Sequence, residues 1–125
     1  MADFDLVAAS LRADAADSRG FVEALAVRLE TALPGQTRIQ RRAKRFLSRE
    51  KVVREIEVDA GDNRYALAVD DHGAIDARRS AAVRGIVLKN DPLGLDEWID
   101  SLARDLAEQA RASEQGRMAL ERLLL

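Results

Sequence analysis

The sequence contains no cysteine, and this absence excludes three classes of protein. A disulfide-stapled scaffold, a thiol nucleophile and a thiolate metal site all need that residue. Aromatic residues make up only 4 % of the 125 residues, so alanine, leucine and valine must fill the core. No apolar run approaches the length of about 20 residues that spans a bilayer, and the acidic start lacks the basic region of a signal peptide. We therefore expect one domain, residues 1–125, located in the cytoplasm, with no membrane partner.

Histidine occurs only once, as His72 in the turn sequence Asp70-Asp71-His72-Gly73. A metal site needs three or four converging ligands, and one turn supplies at most two. The sequence also lacks a Gly-x-Ser-x-Gly elbow, a P-loop and a Gly-x-Gly-x-x-Gly motif. We therefore expect no catalytic residue, no metal, no cofactor and no small-molecule substrate, and we do not expect an enzyme.

Positive charge is concentrated in one segment of a chain whose net charge is −2. Residues 37–54 hold eight basic residues against Glu50 alone, a net charge of +7. We interpret this basic block either as a solvated sheet face paired with acidic helices, or as a surface that binds phosphate backbones or an acidic protein. Phe46 is its one aromatic residue, so base stacking has little support. The predicted binding surface consists of Arg38, Arg41, Arg42, Lys44, Arg45, Arg49, Lys51 and Arg54.

The middle of the chain has the period of two that is typical of strands. Residues 37–45 fit both a helix and a strand, and we predict a strand because the segments that follow are strands and sequential strands tend to pair. Turn residues separate the segments at 59–63 and 70–73. The predicted strands are residues 37–45, 52–58 and 65–69, and a last strand over 75–88 that is interrupted at 78–82.

Two long helices are predicted to flank this sheet, over residues 3–33 and from Asn90 to Leu125, which gives an α+β fold with three or four antiparallel strands. Asp91 followed by Pro92 suits a helix cap with proline in the first turn. Trp98 is interpreted as an anchor of the core. A helix of about 30 residues is roughly 45 Å long, so it must protrude, meet a partner or break near Gly116.

The C-terminal helix carries more apolar side chains at its end than a sheet of short strands can cover. We expect Phe4, Val7 and Leu11 of the N-terminal helix, a second copy, or another protein to cover them. We predict that the first two occur together in a twofold homodimer. The predicted interface residues are Met118, Leu120, Leu123 and Leu124.

The predicted elements begin with one helix and a meander. They continue with a short link and an alanine-rich helix after the strand run Val83-Arg84-Gly85-Ile86-Val87-Leu88. This order of elements resembles the YbaB/EbfC nucleoid-associated family, and the resemblance implies a dimer that binds DNA. Trp98 and the basic block are not expected from that family, and no functional residue is carried over. We therefore predict a small non-catalytic binding or adaptor protein that acts through its helix pair and basic sheet face. A dimeric DNA-binding protein is the alternative.

Overall fold

The computed structural model describes residues 18–44, 46–47, 49–83 and 86–124. Over these residues the chain is α+β: two helices pack on one face of a five-stranded antiparallel sheet, and a third helix packs on those two. The elements in chain order are α1 (Ser18–Ala32), β1 (Thr37–Ala43), β2 (Lys51–Ala60), β3 (Asn63–Val69), β4 (Ile75–Val83), β5 (Ile86–Leu93), α2 (Leu95–Ala112) and α3 (Glu114–Leu124). No helix among these residues is long and apolar enough to cross a membrane.

The sheet is a meander in which each strand pairs with its neighbours in the sequence, in the order β1-β2-β3-β4-β5. Every second side chain of the central strands is buried, including Ile56 and Val58 of β2 and Tyr65 and Leu67 of β3. Because successive side chains of a strand point to opposite faces, this alternation puts one face on the core. The other face carries charged and small residues, and the helices leave it open.

The predicted α+β class is confirmed, and the strand count of three or four is corrected to five. Residues 78–82, where we predicted an interruption, lie inside β4. The run 83–88, which we predicted as one strand, is divided between the end of β4 and the start of β5. The strand predicted over residues 37–45 is confirmed over Thr37–Ala43, which is β1.

The polar segment of β4, residues 78–82, continues the strand because helix α2 provides hydrogen-bond partners for its polar groups. The Arg79 guanidinium donates to Ser101 Oγ at 2.8 Å, and Trp98 Nε1 donates to the Arg78 carbonyl at 3.1 Å. Trp98 is fully buried, as interpreted from the sequence, and its ring meets Tyr65 edge-on with centroids 5.9 Å apart. Both partners come from a helix about 20 residues later, so the pattern within β4 cannot reveal them.

The predicted start of the C-terminal helix at Asp91 and Pro92 is wrong, because both residues lie in β5. The helix α2 begins instead at Leu95, with Gly94 in the cap position. Strand β5 is at the edge of the sheet and pairs only with β4. An edge strand tolerates proline because one of its sides needs no backbone donor.

The C-terminal segment consists of two helices rather than one, and the break lies at Ser113. The Ser113 backbone N–H donates to the Gln109 carbonyl at 3.1 Å, which closes α2. Its hydroxyl then accepts from the Gly116 backbone N–H at 2.9 Å, which caps α3. Folding back at this point packs α3 against α1 and α2 instead of extending it into solvent.

Helix α1 covers the second half of the predicted N-terminal helix. Phe4, Val7 and Leu11, which we predicted as covering residues, lie outside the described part of the chain. The apolar face of α1 packs on β1, β2 and α3 and is buried with the rest of the core. The helical members of that core are Phe21, Val22, Leu25, Ala26, Leu29, Ala32, Trp98, Ile99, Leu102, Ala103, Leu106, Leu120 and Leu123.

Candidate functional site

The basic block forms most of the β1–β2 hairpin. Arg38 and Arg41 lie three residues apart in β1 and therefore on opposite faces of the sheet, and β2 contains a bulge. Gln40 pairs with Glu55, but the next residue, Arg41, pairs with Val53, so Arg54 has no partner in β1. One extra residue reverses the facing of the side chains beyond it. The eight basic residues therefore do not form a single sheet face, contrary to the sequence interpretation.

Arg38 lies on the open face of the sheet and is neutralised there by two carboxylates. Its guanidinium lies 2.6 Å from Glu57 and 3.2 Å from Asp59, and Arg64 Nε donates to the same Asp59 at 2.8 Å. Burial raises the pKa of Asp59, but the hydrogen bonds from Arg64 and Arg38 outweigh burial and hold that pKa below its ordinary value. This part of the block is a balanced ion network.

Arg41 and Arg54 are also paired within the chain. Arg41 lies on the helix side of the hairpin, 2.5 Å from Glu30 of α1, and its hydrogen bond lowers the pKa of the Glu30 carboxyl. The bulge residue Arg54 lies 2.8 Å from Asp71 in the turn after β3. The stem of the hairpin therefore carries little unbalanced positive charge.

The excess charge is found at the end of the hairpin, residues 42–51, which has five basic residues against Glu50. Lys44 lies 3.8 Å from Glu50 in a loose ion pair. Arg42, Arg49 and Lys51 are exposed and make no ion pair among the described residues. Arg45 lies outside the described residues.

The tip of the hairpin presents two large apolar side chains to solvent. The Lys44 N–H donates to the Glu50 carbonyl at 2.9 Å and closes the loop. Beyond this closure Phe46 is 92 % exposed and Leu47 is 87 % exposed. Leu47 also has a φ of 65°, a left-handed conformation that is uncommon for a residue other than glycine. An aromatic and an aliphatic side chain are thus held in water at the end of a hairpin that also carries the exposed cations Arg42, Lys44, Arg49 and Lys51.

The sequence analysis did not identify this apolar tip. Phe46 and Leu47 fit a helical spacing with Ile39 and Ala43, and this spacing competed with the strand pattern of residues 37–45. Only the loop closure shows that the two residues lie beyond the last strand pair. Two adjacent apolar residues between basic residues were the available signal.

The residues of the predicted helix interface mostly lie inside the chain's own core. Leu120 and Leu123 are buried, Leu124 is half-buried against them, and the Leu123 carbonyl accepts from the Arg28 guanidinium of α1 at 2.7 Å. Met118 is 44 % exposed. The twofold homodimer stays a prediction, and the leucines that motivated it are covered within one chain.

A polar cluster between the sheet and α2 was not predicted. The Tyr65 hydroxyl donates to Asp105 and lies 2.8 Å from Ser101 Oγ. Asp105 also accepts from the Asn63 amide at 2.8 Å. Burial and the hydrogen bond to Asp105 raise the pKa of Tyr65, so the phenol stays protonated at neutral pH. A neutral phenol with fixed partners holds α2 on the sheet and offers no base or nucleophile.

A groove of about 500 Å³ lies where α1 ends beside the break between α2 and α3. Its central polar group, the Gln36 amide, donates to the Asp59 carbonyl at 2.7 Å. His72 is exposed in its turn, and its backbone N–H donates to the Asp70 carboxylate at 2.8 Å. The described residues contain no group of three or more histidine, aspartate or glutamate side chains placed to hold a metal ion.

Comparison with protein-family models, with curated proteins and with solved structures gives no match for this chain. The resemblance to the YbaB/EbfC family stays a prediction.

Proposed function

We propose that this chain is a non-catalytic binding protein and that the end of the β1–β2 hairpin is its contact element. The observation that carries the proposal is the pair Phe46 and Leu47, which are almost fully exposed at a hairpin end with several exposed basic side chains. Exposed large apolar groups in a contiguous patch are costly and are typical of binding surfaces. The ligand class that fits the surrounding charge is a negatively charged surface.

The remainder of the chain serves in this proposal as a rigid support for the hairpin. Helix α1 holds β2 through Glu23, whose carboxylate accepts from the Val53 backbone N–H at 2.7 Å, and holds β1 through the pair of Glu30 with Arg41. The helix pair that we predicted as a second contact element is used for this support, because its leucines face inward.

The predicted alternative, binding to duplex DNA, receives less support from the charge layout. A duplex lying along the hairpin would pass the open-face carboxylates Glu55, Glu57 and Asp59. These carboxylates repel phosphates, and the neighbouring cations Arg38 and Arg64 are already paired with Glu57 and Asp59. DNA is therefore kept as an outcome of the experiments and is not the favoured ligand.

Retention on immobilised heparin, a sulfated polyanion, tests the proposed contact element. We expect the triple variant R42S/R49S/K51S to elute at a clearly lower salt concentration than the wild type. With three cations removed, fewer counterions are released when the protein binds heparin. The matched control K89S/R111S/R122S removes the same charge from exposed positions on β5, α2 and α3. Equal elution of the two triple variants would refute the hairpin end as the contact element.

A further inference from the structure

We infer that the hairpin end docks on the surface of an anionic lipid bilayer, with Phe46 and Leu47 entering the boundary between headgroups and acyl chains. This inference rests on the proposed function and names its ligand class. Arg42, Arg49 and Lys51 then contact the negatively charged headgroups around the inserted pair. The sequence predicts no membrane partner because no segment can span a bilayer, but docking at its surface needs no such segment.

The shape of the tip favours a fluid interface over a rigid partner. Phe46 and Leu47 project from the closed end of a hairpin and are 92 % and 87 % exposed, so the apolar surface is convex. A convex apolar tip requires a matching pocket in a protein partner. A lipid interface rearranges around the tip and needs no preformed pocket.

The distribution of charge also favours a planar surface met end-on. Glu57, Glu30 and Asp71 neutralise the basic residues of the stem, and the excess positive charge begins only at Arg42. A duplex needs a track of cations along the protein, whereas a bilayer needs them only around the inserted groups. The hairpin carries its exposed, unbalanced cations Arg42, Arg49 and Lys51 at this end.

The two kinds of contact are complementary, because neither holds a protein on a membrane firmly alone. A few cations bind anionic lipid weakly and reversibly, and two small apolar insertions do the same. When both contacts are made at once, their contributions to the binding constant multiply. Binding should therefore need both the anionic lipid and the apolar pair, which gives the inference a double test.

Vesicle binding tests the inference with two lipid compositions: phosphatidylcholine alone, and phosphatidylcholine with about one third phosphatidylserine. We expect the wild type to bind the mixed vesicles at least about tenfold more tightly than the neutral ones. The variant F46S/L47N should lose about tenfold on the mixed vesicles, because the apolar insertion is gone. Asparagine at position 47 suits the left-handed backbone, so the loop conformation is kept.

Matched controls separate the tip from general surface effects. Val27 on α1 is 58 % exposed, and V27S removes an apolar side chain away from the hairpin. We expect V27S and K89S/R111S/R122S to bind more tightly than their hairpin counterparts. The emission of Trp98, which is the one tryptophan and is buried, verifies that each variant is folded.

Insertion is read directly from F46W, which places a second tryptophan at the tip. We expect its emission to shift to the blue on phosphatidylserine vesicles and to be quenched by brominated lipid chains, while V27W shows neither effect. An unchanged F46W emission on these vesicles overturns the inference. If the wild type is still retained on heparin, the proposed function stands without the membrane.

A different ligand also gives a clear signature. If duplex DNA binds more tightly than the mixed vesicles and F46S/L47N weakens that binding, the hairpin end is a nucleic-acid element and the lipid inference is wrong. If neither heparin nor vesicles distinguish the wild type from R42S/R49S/K51S, the inference and the proposed function fail together.

Discussion

The close approach of Gly116 in α3 to the end of α2 gives the sharpest prediction of stability. A Cβ atom built on Gly116 lies 2.7 Å from the carbonyl carbon of Gln109, nearer still to its oxygen, and 3.0 Å from Ser113 Oγ. The nearest of these atoms belong to the backbone, so no side-chain rotation relieves the clash. Helix α3 would have to move by roughly 1 Å to restore an ordinary contact.

Two opposing effects determine whether Gly116→Ala raises or lowers the free energy of unfolding. Helix propensity alone favours alanine over glycine by about 1 kcal/mol. Against this, overpacking costs about 1–3 kcal/mol, and a displaced α3 uncovers part of Leu120 and Leu123, each worth about 1.5–3 kcal/mol when fully buried. We therefore expect the variant to be less stable than the wild type by about 1–3 kcal/mol.

Urea unfolding followed by Trp98 fluorescence measures this difference. Gly35→Ala is the matched control, because a Cβ there meets nothing within 4 Å. The control should be more stable than the wild type by about 0.4–1 kcal/mol, through the reduced freedom of the unfolded chain. A Gly116→Ala protein as stable as the Gly35→Ala protein would show that α3 does not approach the Gln109 carbonyl this closely.

Three further predictions concern the core and its charges. Trp98→Ala should cost about 3–5 kcal/mol in the free energy of unfolding, and a melt like that of the wild type contradicts full burial. Tyr65→Phe should cost about 1–2 kcal/mol, because Asp105 loses one donor; an unchanged urea midpoint would show that the phenol bond contributes nothing. The lowered pKa of Asp59 means that its contribution is present above its unfolded pKa, near pH 4, and is lost as the pH falls through the folded value. Stability measured between about pH 5 and pH 3 should therefore fall more for the wild type than for Asp59→Asn.

The central strands could be predicted because their signal is local. Alternating apolar residues such as Ile56 and Val58, or Tyr65 and Leu67, all face the same core, and the period of two reports this without any knowledge of distant partners. The strand over residues 37–45 followed from its neighbours, and the structure confirms it. Because these strands are buried on one face only, their sequence alternates between apolar and polar residues, and this alternation predicts the sheet.

The course of β4 could not be predicted because its stabilising partners are remote. Arg79 lies on the helix-covered face, where a charged residue in the sequence indicates a break in the strand. Only the folded structure shows that its guanidinium donates a hydrogen bond to Ser101. Asp91 and Pro92 similarly read as a helix cap, although the pairing of β5 with β4 extends the strand to Leu93. In both cases tertiary pairing overrides a local signal.

The candidate site shows the same division between local and remote information. Composition alone identified all eight basic residues, but not their partners. Glu30, Glu57 and Asp71, which neutralise the stem, lie on three different elements. The apolar tip was not identified, since exposure is a property of the folded chain.

The bulge at Arg54 connects the fold of the hairpin to its proposed role. Without the extra residue Arg54 would lie opposite Arg41 on the helix side, and Val53 would leave the core for the open face. With it, Val53 stays buried and Arg54 reaches Asp71, so each of the stem cations Arg38, Arg41 and Arg54 is paired with a carboxylate. The unbalanced charge then coincides with Phe46 and Leu47 at the tip, where cations and apolar groups act on the same surface. In the proposed function this hairpin end is the basic, apolar point of contact of an acidic protein, and carboxylates elsewhere on the described surface disfavour an anionic surface that approaches from another side.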